Sequence, residues 1–181
     1  MITISNTLKL QKLKKEDQPD LIQLMYRIYP PVYEHLWVNK DCSWYLNSQY
    51  LMPAFEKDLS AVDAEYYFLI ANKKPIGILR LVWNYSHKKD SNIKAIKLHR
   101  LYIDPDFHGF GHGKALLKWV INKAKEKNYS KLWLEVMDSQ KQALAFYEGI
   151  GFEKIFTMVL PFEIMHKPLR GMYTMELKLL P

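Results

Sequence analysis

Apolar positions after Pro19 recur at Leu21, Leu24, Met25 and Ile28, the i, i+3, i+4, i+7 spacing that lines one face of a helix. The pattern predicts a helix from about Pro19 to Tyr29, stopped by Pro30-Pro31, because proline has no N–H to carry the ladder on. Upstream, Leu8, Leu10 and Leu13 alternate loosely as a strand does. From Val32 to Tyr50 the periodicity breaks and aromatic residues crowd in at Tyr33, Trp37, Trp44, Tyr45 and Tyr50. Rings in such density pack a core or a lid over a site. A short helix is predicted from Pro53 to Leu59, then strands over Glu65–Ala71 and Ile76–Trp83 joined as a hairpin by the turn Asn72-Lys73-Lys74-Pro75. The polar run Asn84 to Asn92 reads as a loop and Lys94 to Ile103 as a strand. Strand parity puts Lys97, His99 and Leu101 on one face and Leu98 and Arg100 on the other.

That strand runs into Asp104-Pro105-Asp106-Phe107-His108-Gly109-Phe110-Gly111-His112-Gly113-Lys114, and then into a helix. Leu117, Val120, Ile121 and Ala124 set the apolar stripe of this helix, with Lys114, Lys118 and Lys125 off it. Asn128-Tyr129-Ser130 closes it and Lys131–Val136 follows as a strand. The result is a βαβ unit whose crossover is expected to be right-handed. A further helix fits Gln140–Glu148, with Ala143, Phe146 and Tyr147 on one face and Gly149 capping its end. Phe152–Met158 and Tyr173–Leu179 read as closing strands, joined by a long hairpin loop from Val159 to Gly171 that is expected near the site.

Composition narrows the function classes. With 181 residues, 49% of them hydrophobic and 25% charged, the chain is expected to be one soluble globular domain over residues 1–181. Cys42 is the only cysteine, which excludes an internal disulfide and a thiolate-rich metal site and fits the cytoplasm. No run is apolar and long enough for a bilayer, and no secretory cleavage pattern opens the chain, so neither membrane nor export is expected. The net charge of +7 favours an anionic partner. The lysines come singly or in pairs (Lys14-Lys15, Lys73-Lys74, Lys88-Lys89), which fits a solvated surface and no nucleic acid. His35, His87 and His112 lack ligand spacing, so no metal is expected.

The alternate glycines Gly109, Gly111 and Gly113 leave backbone N–H groups free to turn towards one anion at a helix N-terminus. A dinucleotide fingerprint needs G-x-G-x-x-G, which this spacing is not. A nucleotide P-loop needs a glycine where His108 stands and Ser or Thr where Ala115 stands. The remaining pattern, His108-x-x-Gly111-x-Gly113 after Leu101-Tyr102-Ile103-Asp104-Pro105, resembles the GNAT family of acyl-CoA-dependent N-acetyltransferases, in which Gln or Arg stands where His108 does. Gln140-x-x-Ala143-x-x-x-Tyr147-Glu148-x-x-Gly151-Phe152 is similar to that family's second signature, which usually opens on Asn.

The resemblance implies an α/β (α+β) domain: a central mixed, mostly antiparallel twisted sheet, its fourth and fifth strands splayed, flanked by helices. It also implies acetyl-CoA as cosubstrate, direct aminolysis by a primary amine of a small molecule or protein, and the option of a homodimer. Backbone groups of Leu101, Tyr102 and Ile103 would pair with the pantetheine arm. The loop His108, Gly109, Phe110, Gly111, His112, Gly113 and Lys114 would hold the pyrophosphate, and Gln140, Ala143 and Phe146 would line the cofactor. Tyr147 would be the acid that protonates the departing sulfur. For the base, His99 titrates in the useful range, with Glu135 or a water chain as alternatives. The second half most resembles spermidine/spermine-type and related small-amine acetyltransferases; the basic chain argues mildly against a polycation, although local charge can differ from the sum. A non-catalytic acyl-CoA sensor on the same fold is the competing reading.

Overall fold

A computed structural model describes residues 1–86 and 94–179; His87, Lys88, Lys89 and most of the 84–92 loop expectation lie outside the described residues. The strands are β1 (Ile2–Thr3), β2 (Lys9–Lys12), β3 (Ala64–Ala71), β4 (Lys74–Val82), β5 (Ala95–Ile103), β6 (Lys131–Met137), β7 (Glu153–Val159) and β8 (Gly171–Lys178). They form one sheet in the order β1-β2-β3-β4-β5-β6-β8-β7, antiparallel except for the parallel pair β5–β6 that the βαβ unit predicts. β5 and β6 are the fourth and fifth strands of the family pattern once the two-residue β1 is set aside.

The helices are α1 (Gln18–Ile28), α2 (Pro30–Tyr33), α3 (Ser43–Tyr50), α4 (Met52–Ser60), α5 (His112–Glu126) and α6 (Lys141–Glu148). They cover both faces, which is why β3 reads as a continuous apolar run. Tyr67, Leu69 and Ala71 turn to the core under α5 and α6, while Tyr66 and Phe68 turn to the core under α1, α3 and α4. In that second core Leu21, Leu24, Met25 and Ile28 of α1 are buried as their spacing predicts. On the first, α5 buries Leu116, Leu117, Val120 and Ala124. Ile121 is only half-buried, so its stripe is turned towards Leu116 relative to the expected one. Each fully buried Leu or Val contributes about 1.5–3 kcal/mol relative to exposure.

Several local expectations need correction. Pro30 and Pro31 end α1 but also open α2, because a missing N–H costs nothing at the first helical position. α3 has no counterpart in the predicted elements: Trp44, Tyr45, Leu46 and Tyr50 fall all round it, with only Leu46 and Tyr50 buried. Gly149 does close α6, but in right-handed geometry, and the left-handed residue is Gly151 at φ +107°. The 72–75 turn is tighter than expected, with Asn72 and Lys73 at φ +50° and +62°, the type I′ geometry of two-residue hairpins.

Candidate active site

The site starts from a register. β5 and β6 pair from Ala95↔Lys131 to Leu98↔Leu134 and no further. β5 nevertheless continues against β4 to Ile103↔Gly77, and β6 against β8 to Met137↔Met172. From His99 and Glu135 onward the two strands therefore diverge. The cause sits in β5: Arg80 pairs with Arg100 and Leu81 with Leu98, leaving His99 as an extra, bulged residue. The bulge also overturns the parity expectation. Leu98 and Leu101 both turn to the core under α5 and α6, whereas Tyr102 turns to the opposite core.

On one side of the divergence lies a cavity of about 420 Å³. Leu101, Tyr102, Ile103, His108, Gly109, Gly111, His112, Gly113 and Lys114 line it together with Gln140, Ala143, Phe146 and Tyr147. Gly109 and Gly111 have φ of +81° and +77° with nothing within 4 Å of an added Cβ, so these glycines serve backbone conformation rather than packing. Gly113 serves packing, since a Cβ there would come 3.1 Å from Phe146 Cζ. Gly111 is the N-cap of α5, whose first-turn N–H groups have no intrahelical acceptor. Phe110 stands outside this lining, 72% exposed and stacked on His112. His108 Nε2 donates to the Ile103 carbonyl at 2.9 Å and ties the loop back to its strand. Ile28, Val32, Tyr33, Phe107 and Gln142 also line the cavity. Ile28, Val32 and Tyr33 were not foreseen because α1 and α2 meet the glycine loop only through the tertiary fold, whereas Phe107 and Gln142 are neighbours of the motif residues that the motifs leave unspecified.

On the other side is a second cavity of about 290 Å³. Its walls come from the aromatic segment (Tyr29, Tyr33, Trp37, Tyr45), from β5 and β6, and from the 159–171 loop through Leu160, Phe162 and Met165. The loop lies near the site, as expected. Trp37 bridges to Met165, with Val38 N donating to Ile164 O and His166 N to Leu36 O, each at 2.9 Å. Tyr33, Leu101, Tyr102, Gln140, Ala143 and Tyr147 line both cavities. Tyr147 thus stands at their junction, packed against Phe146 and Phe152. Burial, with Tyr33 adding to it, raises its pKa well above the usual phenol value, so its proton is held at neutral pH.

The polar wall is organised by β5. Asp58 pairs with Arg100 and, at 3.0 Å, with Arg80. Arg100 Nη2 also donates to Gln49 Oε1 at 2.8 Å. Arg80 Nη1 lies 2.7 Å from His99 Nδ1. A guanidinium has only donors, so Nδ1 is the accepting nitrogen and the proton resides on Nε2. Burial first, then Arg100, Arg80 and Lys97, push the His99 pKa down to about 2. Glu135 accepts from Lys97 Nζ at 2.8 Å. Among the described residues no group of three or more His, Cys, Asp or Glu side chains converges as a metal site would require, and no helix is long and apolar enough to cross a membrane.

A family model described as acetyltransferase (GNAT) family matches residues 21–152. The chain belongs to that family. Within it, the chain is 27% identical over 150 residues to an uncharacterized N-acetyltransferase of Methanocaldococcus jannaschii, a match covering 82% of this chain and 62% of that one. The fold is similar to that of PaiA N-acetyltransferase from Thermoplasma acidophilum, solved in complex with coenzyme A (TM-score 0.71, 19% identity, 95% and 99% of the two chains). It is also similar to spermidine N-acetyltransferase from Vibrio cholerae, solved with CoA and spermine (TM-score 0.68, 17% identity, 96% of each chain).

Proposed function

We propose that this chain transfers an acetyl group from acetyl-CoA to a primary amine of a small molecule or a protein by direct aminolysis. The observation that carries the reading is the meeting of two cavities at Tyr147, one rimmed by a backbone anion cradle and one walled by aromatic rings. The residues present fit acetyl-CoA. Gly109 and Gly111 keep left-handed backbone with open space where a Cβ would stand, and the N-terminus of α5 suits a pyrophosphate. The edge of β5 beyond Leu98, no longer paired with β6 and with only its Ile103 carbonyl taken up by His108, offers main-chain groups to an extended arm, in the manner of an added strand. Bound there, acetyl-CoA supplies a thioester whose carbon–sulfur bond breaks as the amine nitrogen bonds to the acyl carbon, the nitrogen losing one proton and the sulfur gaining one.

Tyr147 gives its proton to the sulfur and regains one from solvent. A buried phenol that stays protonated at neutral pH suits that role. His99 has its lone pair committed to Arg80, so it holds an Nε2–H donor towards the acceptor and leaves the amine proton to Glu135 or to water. His108 shapes the loop through Ile103 and leaves the phosphates to backbone N–H groups. Replacing Tyr147 with Phe tests the assignment: kcat should fall about 10²–10⁴-fold, the usual worth of a positioned acid, while acetyl-CoA affinity stays within about twofold. An unchanged kcat would reduce Tyr147 to packing.

A further inference from the structure

The acceptor cavity carries more information than the presence of an amine site, and reading it rests on the transfer function proposed above. The lining not shared with the cofactor cavity includes Trp37, Tyr45, Phe162, Met165 and Met172, beside the polar Gln49, His99, Arg100 and Glu135. Tyr29 stacks on Tyr33 at 4.6 Å and on Tyr45 at 5.1 Å, Trp37 lies 5.3 Å from Tyr45, and Phe162 stacks on Trp37 at 6.4 Å. These rings form a continuous wall at separations where aromatic pairs attract beyond their buried area. A reactive nitrogen held at the junction beside Tyr147 leaves the rest of the molecule against that wall.

Charge narrows the occupant further. The only carboxylate lining the cavity among the described residues is Glu135, and Lys97 already holds it. Arg100 also lines the cavity, and Asp58, outside the lining, is shared between Arg100 and Arg80. Counted with the partners behind Arg100 and Glu135, the set carries three positive charges and two negative ones, which disfavours additional ammonium groups. A polyamine has no second carboxylate to meet. A protein N-terminus brings its following residues with it, and a cavity of about 290 Å³ holds little beyond a small amine. The Trp37–Met165 bridge ties the aromatic segment to the 159–171 loop that lines the same cavity.

We propose that the acceptor is a compact primary monoamine with an aromatic body, an arylalkylamine, rather than a polyamine or a protein amino group. Its ring packs on Trp37, Tyr45 and Phe162, and its single ammonium loses its proton near Glu135 before attack.

The test is a competition panel with acetyl-CoA in which 2-phenylethylamine, ethylamine, spermidine and an alanyl peptide are compared by kcat/KM. Calorimetric binding of the same amines to the CoA-loaded protein is measured in parallel. The expected result is kcat/KM for 2-phenylethylamine at least tenfold above each of the others. In Phe162→Ala its KM should rise about tenfold while that of ethylamine changes less than twofold, with CoA affinity and melting temperature retained. Spermidine or the peptide exceeding 2-phenylethylamine in kcat/KM or binding overturns the substrate class and leaves the transfer reading standing. Binding of 2-phenylethylamine without acetylation of any amine removes the transfer reading while supporting the shape and charge assigned to the cavity. Equal KM effects of Phe162→Ala on both monoamines would overturn the aromatic contact.

Discussion

His99→Gln isolates the unusual electrostatics of the bulge. In the folded protein His99 is largely buried, with Arg100, Arg80 and Lys97 around it and Asp58 beyond the two arginines, and burial first, then these cations, push its pKa from 6.5 down to about 2. The unfolded chain protonates this imidazole near 6.5, whereas the native state refuses the proton until far lower pH. Unfolding therefore takes up a proton throughout that window, and stability is complete above pH 6.5 and lost progressively as pH falls. At about 1.36 kcal/mol per unit, the loss from this one group at about pH 5 comes to about 2 kcal/mol. Glutamine keeps an oxygen for Arg80 to donate to but cannot titrate. Urea unfolding of both proteins at about pH 7.5 and about pH 5 cancels the common carboxylates. The wild type should lose about 2 kcal/mol more than the variant over this interval. Equal losses, or an NMR titration of His99 near 6.5, would refute the reasoning and return His99 to the list of bases.

Other expectations follow from single contacts. Asp58→Ala leaves Arg80 and Arg100 buried without their counter-ion and should cost about 3–5 kcal/mol; a denaturant midpoint shift worth less than about 1 kcal/mol would contradict this. Gly111→Ala meets no atom, so its effect is backbone strain alone, about 1–2 kcal/mol. It should appear as about tenfold weaker CoA binding by calorimetry, and unchanged affinity would contradict the cradle. In Gly77→Ala the new Cβ would lie 2.1 Å from the Tyr102 carbonyl. Relieving that clash should cost about 1–3 kcal/mol, read by thermal melting, and should weaken CoA binding through the displaced Tyr102–Ile103 backbone.

How far the sequence could be read depended on the range of the interactions involved. The glycine loop and the α6 signature are local: Gly109, Gly111 and Gly113 lie within five residues, and Gln140 caps the helix that carries Ala143 and Tyr147, so the family resemblance they carry named most of the lining of the larger cavity. α3 was illegible because its apolar residues do not keep to one face. The bulge at His99 was illegible for a different reason, since it exists only in the register of β5 against β4. Parity arguments assume a continuous ladder, and one extra residue inverts every face beyond it. The acceptor cavity needed Tyr29, Tyr45 and Phe162 from segments more than a hundred residues apart, which only the tertiary fold assembles. The aromatic density from Val32 to Tyr50 marked one of its walls without saying what it faced.

The central claim is that the two cavities at Tyr147 bring an acyl thioester to an amine. Its most direct test is to incubate the purified protein with acetyl-CoA and a panel of primary amines, counting free thiol and N-acetylated product by mass spectrometry in the same samples. The account predicts one acetylated amine for each thiol released, with both abolished by omitting either substrate. Acetyl-CoA that binds and remains intact across the whole panel would contradict it and leave the fold as an acyl-CoA sensor.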